Sequence, residues 1–220
     1  MAALAPLIRG SLQAHPLAER FAVEVHRVHR RYASEVVAHN QLCPFLRDVD
    51  TGFGRFCVML DVEPDVPTAI AAVLAAGTSV IHLVYPCLSG PSSPFEKFAG
   101  KLSAALKQAL PEAPVMATFH PALPGEGSNP FRLVGLLRRA PDPFVQLIPE
   151  GLHQGGTMFA GTAELEAATL AHTRDPAQAN FAKMAGGNLE KIVALMAEIR
   201  ADRDRSYAPF LEELGVAAQA

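Results

Sequence analysis

The stretch SVIHLVYPCLSGPSSPFEKFAGKLSAALKQALPEAPVMATFH, residues 79–120, decides the fold class. It begins with a short apolar run, continues with apolar residues three or four positions apart, and ends with a second apolar run. The spaced residues are Phe95, Phe98, Leu102, Leu106 and Leu110. A strand, an amphipathic helix and a strand in this order are typical of a layered α/β domain. We therefore predict strands over 79–85 and 115–120 and a helix over 94–110.

The same alternation of strands and helices extends along the rest of the chain. The other predicted elements are a helix from Leu17 to near Asn40, a strand over 55–62, a helix over 67–76, a helix from Pro130 to about Arg139 capped by Asn129, an edge strand over 144–148, and helices over 163–172 and 189–203. Residues 151–187 are glycine-rich and poorly periodic, and we interpret them as a lid-like segment. The overall prediction is one α/β domain over residues 1–220, a central sheet flanked by helices, with α+β as the alternative.

Composition limits the class of protein further. Half of the 220 residues are hydrophobic and 19% are charged, which excludes intrinsic disorder. A net charge of −3 disfavours nucleic-acid binding driven by electrostatics. The beginning of the chain does not read as a signal peptide, and no apolar run approaches the roughly 18 residues of a membrane span. The odd count of three cysteines predicts reduced thiols. We expect a cytoplasmic protein that acts on a small molecule, without nucleic acid or membrane as a partner, and leave a homodimer open.

Cys43 is the first candidate for chemistry. It follows the first predicted helix in the sequence NQLCPF, and Pro44 stiffens the backbone beside its thiol. A cysteine can act as a nucleophile or bind a metal when a positive charge or the metal itself lowers its pKa. The alternative is a small apolar side chain that fills space in the core.

His120 is the second candidate, because it ends the predicted strand over 115–120 and precedes a loop rich in proline and glycine. Ligands of α/β sheets bind beyond the carboxyl ends of strands, where a histidine can serve as acid, base or metal ligand. Cys87 follows the strand over 79–85 in the same way, so parallel strands would place it at the same edge as His120. A histidine with a purely structural role is the alternative.

Two other groups of residues are interpreted as structural. His26 and His29 lie one turn apart on the first helix, but the arginines around them repel cations, so we assign them surface or structural roles. Cys57 lies within the strand over 55–62 and is interpreted as a core residue.

Three short motifs occur in a fixed order: Asn-x-x-Cys-Pro-Phe at 40–45, Phe-His-Pro at 119–121, and a Pro-aromatic pair at 130–131 followed by Leu-Leu-Arg at 136–138. In this order they resemble a bacterial family catalogued only as a domain of unknown function. The resemblance covers about residues 20–140 and the last helix, and it implies that residues 151–187 are an insertion relative to the family. It departs at Tyr85 and Gly135, where family members often carry histidine, and at 127–129, where they often read Asn-Arg-Ser. Cys43 and His120 are retained, which implies that this pair is functional.

The function predicted from these residues is that of a metal-dependent oxidoreductase with haem or non-haem iron. Cys43, His120 or both would bind the iron, since thiolate and imidazole are suitable ligands in an apolar pocket. The aromatic residues that would enclose it are Phe45, Phe53, Phe119 and Phe131. Tyr85 and Arg138 would hold a propionate or a substrate carboxylate, because arginine binds carboxylates through two parallel hydrogen bonds.

Two alternatives stay open at this point. One is a cofactor-free thiol enzyme with Cys43 as nucleophile and His120 as its base. The other is a non-catalytic module that binds a small ligand, in which the cysteine and histidine motifs only support packing.

Overall fold

The computed structural model describes residues 5–43, 46, 54–77, 80–150, 176–184 and 186–216. In chain order the elements are β1 (Leu7–Arg9), α1 (Ala18–Arg31) with a π-helical continuation (Tyr32–Ala38), β2 (Arg55–Met59), α2 (Val66–Ala76), β3 (Ile81–Val84), α3 (Ser92–Ala109), β4 (Val115–Phe119), α4 (Pro130–Leu137), β5 (Phe144–Ile148), α5 (Pro176–Lys183) and α6 (Asn188–Glu213). The predicted α/β class is confirmed.

The five strands form one mixed sheet in the order β1-β2-β3-β5-β4. β1, β2 and β3 are parallel to one another, whereas β5 is antiparallel to both of its neighbours, β3 and β4. β3 and β4 therefore run in the same direction. Cys87 and His120, which follow these two strands, lie beyond the carboxyl ends of the strands and line one cavity.

The sheet differs from the prediction in two places. The sequence predicts an edge strand at 144–148, but β5 lies between β3 and β4. Pro143 and Pro149 flank this strand without interrupting it, so every residue within it keeps an N–H group for pairing. The second difference is β1, which the sequence analysis does not predict, because three residues are too few for a periodic pattern.

Within the described part of the chain, the helices predicted from Leu17 to near Asn40, over 67–76, over 94–110 and from Pro130 to about Arg139 are all present. α6 continues to Glu213, well beyond the predicted end at residue 203, and contains Pro209. α5 falls within the segment 151–187 that the sequence marks as an insertion. The predicted helix over 163–172 lies outside the described residues, as do Phe45 and Phe53.

Helices cover both faces of the sheet because successive strand residues point to opposite sides. α1 and α6 pack on one face, where the strands contribute Phe56, Val58, Val84 and Phe144. α2 and α3 pack on the other face, where the strands contribute Cys57, Met59, Ile81, Leu83, Val145 and Leu147. Within the described part of the chain, no helix combines the length and apolar character needed to cross a membrane.

Gly135 in α4 allows the loop after His120 to contact the helix directly. A Cβ atom at Gly135 would lie 2.0 Å from the carbonyl oxygen of Pro124, and one at Gly125 would lie 2.1 Å from the backbone nitrogen of Leu136. The two backbones therefore touch, which fixes the loop beside His120. A histidine side chain at position 135 does not fit this arrangement.

We expect Gly135→Ala to lower the free energy of unfolding by about 1–3 kcal/mol, because the new methyl group must displace the Pro124 backbone. Gly100→Ala is the matched control, since a Cβ atom at this exposed α3 position meets nothing within 4 Å. It should raise the free energy of unfolding by roughly 0.5–1 kcal/mol, because alanine is the better helix former. Urea unfolding followed by circular dichroism measures both changes. Effects of the same sign would contradict the close backbone contact.

Candidate functional site

A cavity of about 910 Å³ lies at the carboxyl ends of β3 and β4. Its walls are formed by residues 86–90 after β3, residues 120–122 after β4, Pro141 and Pro143 before β5, and the C-terminal half of α6. Ligands of α/β sheets bind at this end of the sheet, beyond the carboxyl ends of the strands. The volume is within the range of about 300–1,000 Å³ that is common for small-molecule sites.

His120 presents an imidazole of fixed orientation at this cavity. The residue is 2% exposed, and its Nδ1 accepts a hydrogen bond from the Ala122 N–H at 3.0 Å. Its ring lies against Phe95, with 5.8 Å between ring centroids. Burial and then the charge of Arg200 lower the pKa of His120, while Glu96 opposes them. The ring is therefore neutral at neutral pH with its proton on Nε2, so it can act as an N–H donor.

Cys87 lines the same cavity, but its thiol is protonated. Burial, reinforced by the charge of Asp142, raises the pKa of Cys87 to about 12. Burial also raises the pKa of Cys57 to about 11. Since the thiolate is the reactive form of cysteine, neither residue is suited to nucleophilic chemistry at neutral pH.

A buried carboxylate, Asp142, connects the elements that form the cavity. Its Oδ2 accepts hydrogen bonds from His29 Nε2 at 2.9 Å and from the Tyr207 hydroxyl at 3.0 Å. Its Oδ1 accepts from Arg203 Nε at 2.8 Å, and Arg203 also donates to the carbonyl of Pro86 at 2.8 Å. The network thus joins α1, α6, the segment before β5 and the loop after β3.

Asp142 remains ionised despite being fully buried. Burial alone would raise its pKa, but the Arg203 charge and the hydrogen bonds from His29 and Arg203 lower the pKa to about 2. The same contacts raise the pKa of Arg203, so this ion pair is charged throughout the neutral range. The structural role assigned to His29 is consistent with this network.

No pattern in the sequence predicts a role for Asp142, Arg200 or Arg203. Asp142 stands between two prolines just before a strand, and this is the one local pattern that could have marked it. Its partners lie 113 and 61 positions away in the chain. No spacing rule relates such distant residues.

Cys43 lies in different surroundings from His120. It is half-buried and packs against the core under α1 and its π-helical continuation. It is not among the residues that line the cavity. The His120 ring instead contacts Phe95, which belongs to the core on the opposite face of the sheet. The cavity that His120 lines is therefore not one that Cys43 lines.

Arg138 interacts with both His120 and Cys43. Its carbonyl oxygen accepts a hydrogen bond from the His120 N–H at 3.1 Å. Its guanidinium lies 5.6 Å from the ring centroid of Phe119. Burial lowers the pKa of Arg138, and the nearby Tyr32 and Cys43 oppose this effect. Among the described residues no carboxylate pairs with this guanidinium.

Of the aromatic residues predicted to surround or hold a cofactor, Phe119, Tyr85 and Phe131 belong to the described part of the chain. Phe119 stacks on Phe144 in the core, with ring centroids 4.1 Å apart. Tyr85 is fully buried against α3, and its hydroxyl has no hydrogen-bond partner in the described part of the chain. Phe131 is 74% exposed at the start of α4. None of Phe119, Tyr85 and Phe131 lines the cavity that contains His120.

The described residues also contain no group of three or more His, Cys, Asp or Glu placed to hold a metal ion. His26 is not part of such a group. Burial, together with the charges of Arg30 and His29, lowers the pKa of His26 to about 4.

No model of a known protein family, no curated protein and no solved structure matches the chain. Function is therefore inferred from the geometry of the site.

We expect Asp142→Ala to lower the free energy of unfolding by about 3–5 kcal/mol, because it leaves the Arg203 charge buried without its main counter-ion. The control is Asp204→Ala, which removes the second carboxylate on Arg203. The side chain of Asp204 is 55% exposed, so its loss should cost at most about 1 kcal/mol. Urea unfolding measures both. A cost for Asp142→Ala no greater than that for Asp204→Ala would contradict the role given to the buried network.

Proposed function

We propose that the protein binds a small carboxylic acid in the cavity at the carboxyl ends of β3 and β4. The observation that supports this is that His120, whose neutral ring carries its proton on Nε2, and the cationic Arg200 both line this cavity. The nearest described carboxylate to Arg200 belongs to Asp204, at 4.0 Å. This distance is too long for a hydrogen bond, so the Arg200 donors are available to a ligand.

The other lining residues limit the ligand further. The carboxylates of Asp204 and Glu212 also face the cavity, which disfavours a molecule with several negative charges. Leu88, Leu211 and Val216 add apolar surface. The ligand that fits is a compact molecule with one carboxylate, a partly apolar body, and no further negative charge.

Of the three functions predicted from the sequence, small-ligand binding needs only this cavity. A thiol enzyme with Cys43 as nucleophile and His120 as its base needs the two side chains within hydrogen-bond reach. His120 lines the cavity, whereas Cys43 does not. The proposal therefore assigns His120 to ligand binding and does not require Cys43.

We expect Arg200→Ala and His120→Phe each to weaken carboxylate binding about tenfold or more, since a hydrogen bond to a charged group contributes roughly 1.5–3 kcal/mol. The probes are benzoate, lactate and the free amino acid alanine, and binding is measured by thermal shift and by the NMR signal of the His120 side chain. Arg205→Ala is the control, because Arg205 is exposed on the same helix and does not line the cavity. The proposal fails if no probe binds wild type more tightly than it binds Arg200→Ala.

A second candidate function depends on Cys43 alone. Its half-buried thiol lies near the guanidinium of Arg138, and a neighbouring cation favours the reactive thiolate. We propose on this basis that Cys43 is a reactive cysteine that acts without His120 as its base.

The iron-dependent oxidoreductase remains a proposal of the sequence analysis. A thiolate at Cys43 or an imidazole at His120 is a ligand that iron accepts. No described residue set adds the further ligands of a non-haem site. A Soret band in the visible spectrum of the purified protein would support haem, and iron found by elemental analysis without that band would support a non-haem centre.

We expect iodoacetamide to modify Cys43 in the native protein faster than it modifies a model thiol, because Arg138 stabilises the thiolate. Arg138→Gln should slow the reaction by up to about tenfold for each unit by which the thiol pKa rises. Arg132→Gln is the control, since Arg132 is exposed and pairs with Glu126. Mass spectrometry of the labelled peptides gives the rates. A Cys43 that reacts only after denaturation would show that it is a packing residue.

A further inference from the structure

The segments that follow β1 and β2 meet at the side chain of Asp61. This residue is 6% exposed, and its Oδ1 accepts a hydrogen bond from the Ser11 N–H at 2.7 Å. Gly10 packs against the other carboxylate oxygen, since a Cβ atom at Gly10 would lie 2.6 Å from Asp61 Oδ2. The chain after β1 therefore covers the carboxylate that follows β2.

The Oδ2 atom of Asp61 is buried without a hydrogen-bond partner in the described part of the chain. None of the ion pairs between described residues involves Asp61. A buried carboxylate is unfavourable unless hydrogen bonds and a positive charge compensate for its lost hydration. The hydrogen bond from Ser11 satisfies one oxygen, but it brings no charge to balance the carboxylate.

The hydroxyl of Tyr85 is a second buried atom without a hydrogen-bond partner among the described residues. Tyr85 follows β3, and the parallel register of β2 and β3 continues to place Met59 beside it. Leu60 packs in the core on the α1 side, whereas Met59 and Tyr85 pack on the α2 and α3 side. Because successive residues alternate in direction, Asp61 lies on the side of Tyr85. Burial and then the charge of Asp61 raise the pKa of Tyr85, which agrees with this proximity.

We propose that Asp61 and Tyr85 bind one monovalent cation, an alkali metal ion or ammonium, where β1, β2 and β3 end. The carboxylate oxygen and the phenol oxygen both have lone pairs for a cation, and its charge balances the buried carboxylate. A water molecule would satisfy the hydrogen bonds but leave the charge of Asp61 uncompensated. A divalent ion would add an excess positive charge to this interior, because only one carboxylate is present.

This site is separate from the cavity to which we assign a carboxylic acid. Neither Asp61 nor Tyr85 lines that cavity. The cation would instead connect three neighbouring strands, because Asp61 follows β2, Tyr85 follows β3, and the segment after β1 packs on Asp61. A ligand that binds only the folded state shifts the unfolding equilibrium toward that state. The expected role of the cation is therefore to stabilise the fold.

Urea unfolding in different chloride salts at one ionic strength tests the proposal. The salts are those of sodium, potassium, ammonium and N-methylglucamine, and the last cation is too large for a buried site. We expect at least one small cation to lower the unfolding equilibrium constant of wild type about tenfold, once its concentration is about ten times its Kd. The salt that acts identifies the ion. Equal stability of wild type in all four salts would overturn the proposal, since a site filled by water predicts that result.

Three variants test which residues bind the cation. Asp61→Asn, which removes the charge, should abolish the difference between the salts, and Tyr85→Phe, which removes only the hydroxyl, should reduce it. Glu63→Gln is the control, because it removes a nearby exposed carboxylate and should keep the wild-type difference. Circular dichroism checks that each variant is folded, and Tyr85→Phe decides the outcome if Asp61→Asn is not. A salt difference that survives unchanged in the folded variants of Asp61 and Tyr85 would overturn the proposed site.

Discussion

The carboxylate of Asp142 is the group on which the arrangement of the cavity depends. An ionised carboxylate without exposure to water is unfavourable unless charges and hydrogen bonds compensate for its lost hydration. Here Arg203, His29 and Tyr207 provide that compensation. Because they reside on α1 and α6, the requirement to pair one buried charge holds both helices against the end of the sheet. Arg203 extends this connection to the loop after β3 through the carbonyl of Pro86.

The sequence predicts that Cys43 and His120 form one site, but only His120 lines the cavity at the carboxyl ends of β3 and β4. The imidazole of His120 is neutral and buried, and Arg200 lines the same cavity. The thiol of Cys43 lies against the other core, near the cation of Arg138. Arg138 interacts with both residues through different groups: its carbonyl accepts a hydrogen bond from the His120 N–H, and its charge interacts electrostatically with Cys43. Two separate roles fit this division better than one catalytic pair.

Local features of the sequence predict most of the elements but not their assembly. The cap of α4 is an example: Asn129 accepts a hydrogen bond from the Phe131 N–H at 2.9 Å, as the Asn-Pro pair indicates. The position of β5 inside the sheet depends on which strands meet in three dimensions, and no local pattern records this. Residue type alone predicts that Tyr85 and Phe131 belong to a cofactor pocket. In the structure, Tyr85 is buried in the core and Phe131 is exposed. The partners of Asp142 are too distant in sequence for periodicity to relate them.

The contact between Gly125 and Gly135 has an evolutionary consequence. The backbone of the loop and that of α4 approach so closely that neither position tolerates a side chain while the other segment stays in place. A homologue with histidine at position 135 must carry its loop along a different path, farther from the helix. The two positions should therefore covary among homologues, and the path of the loop after His120 should change with them.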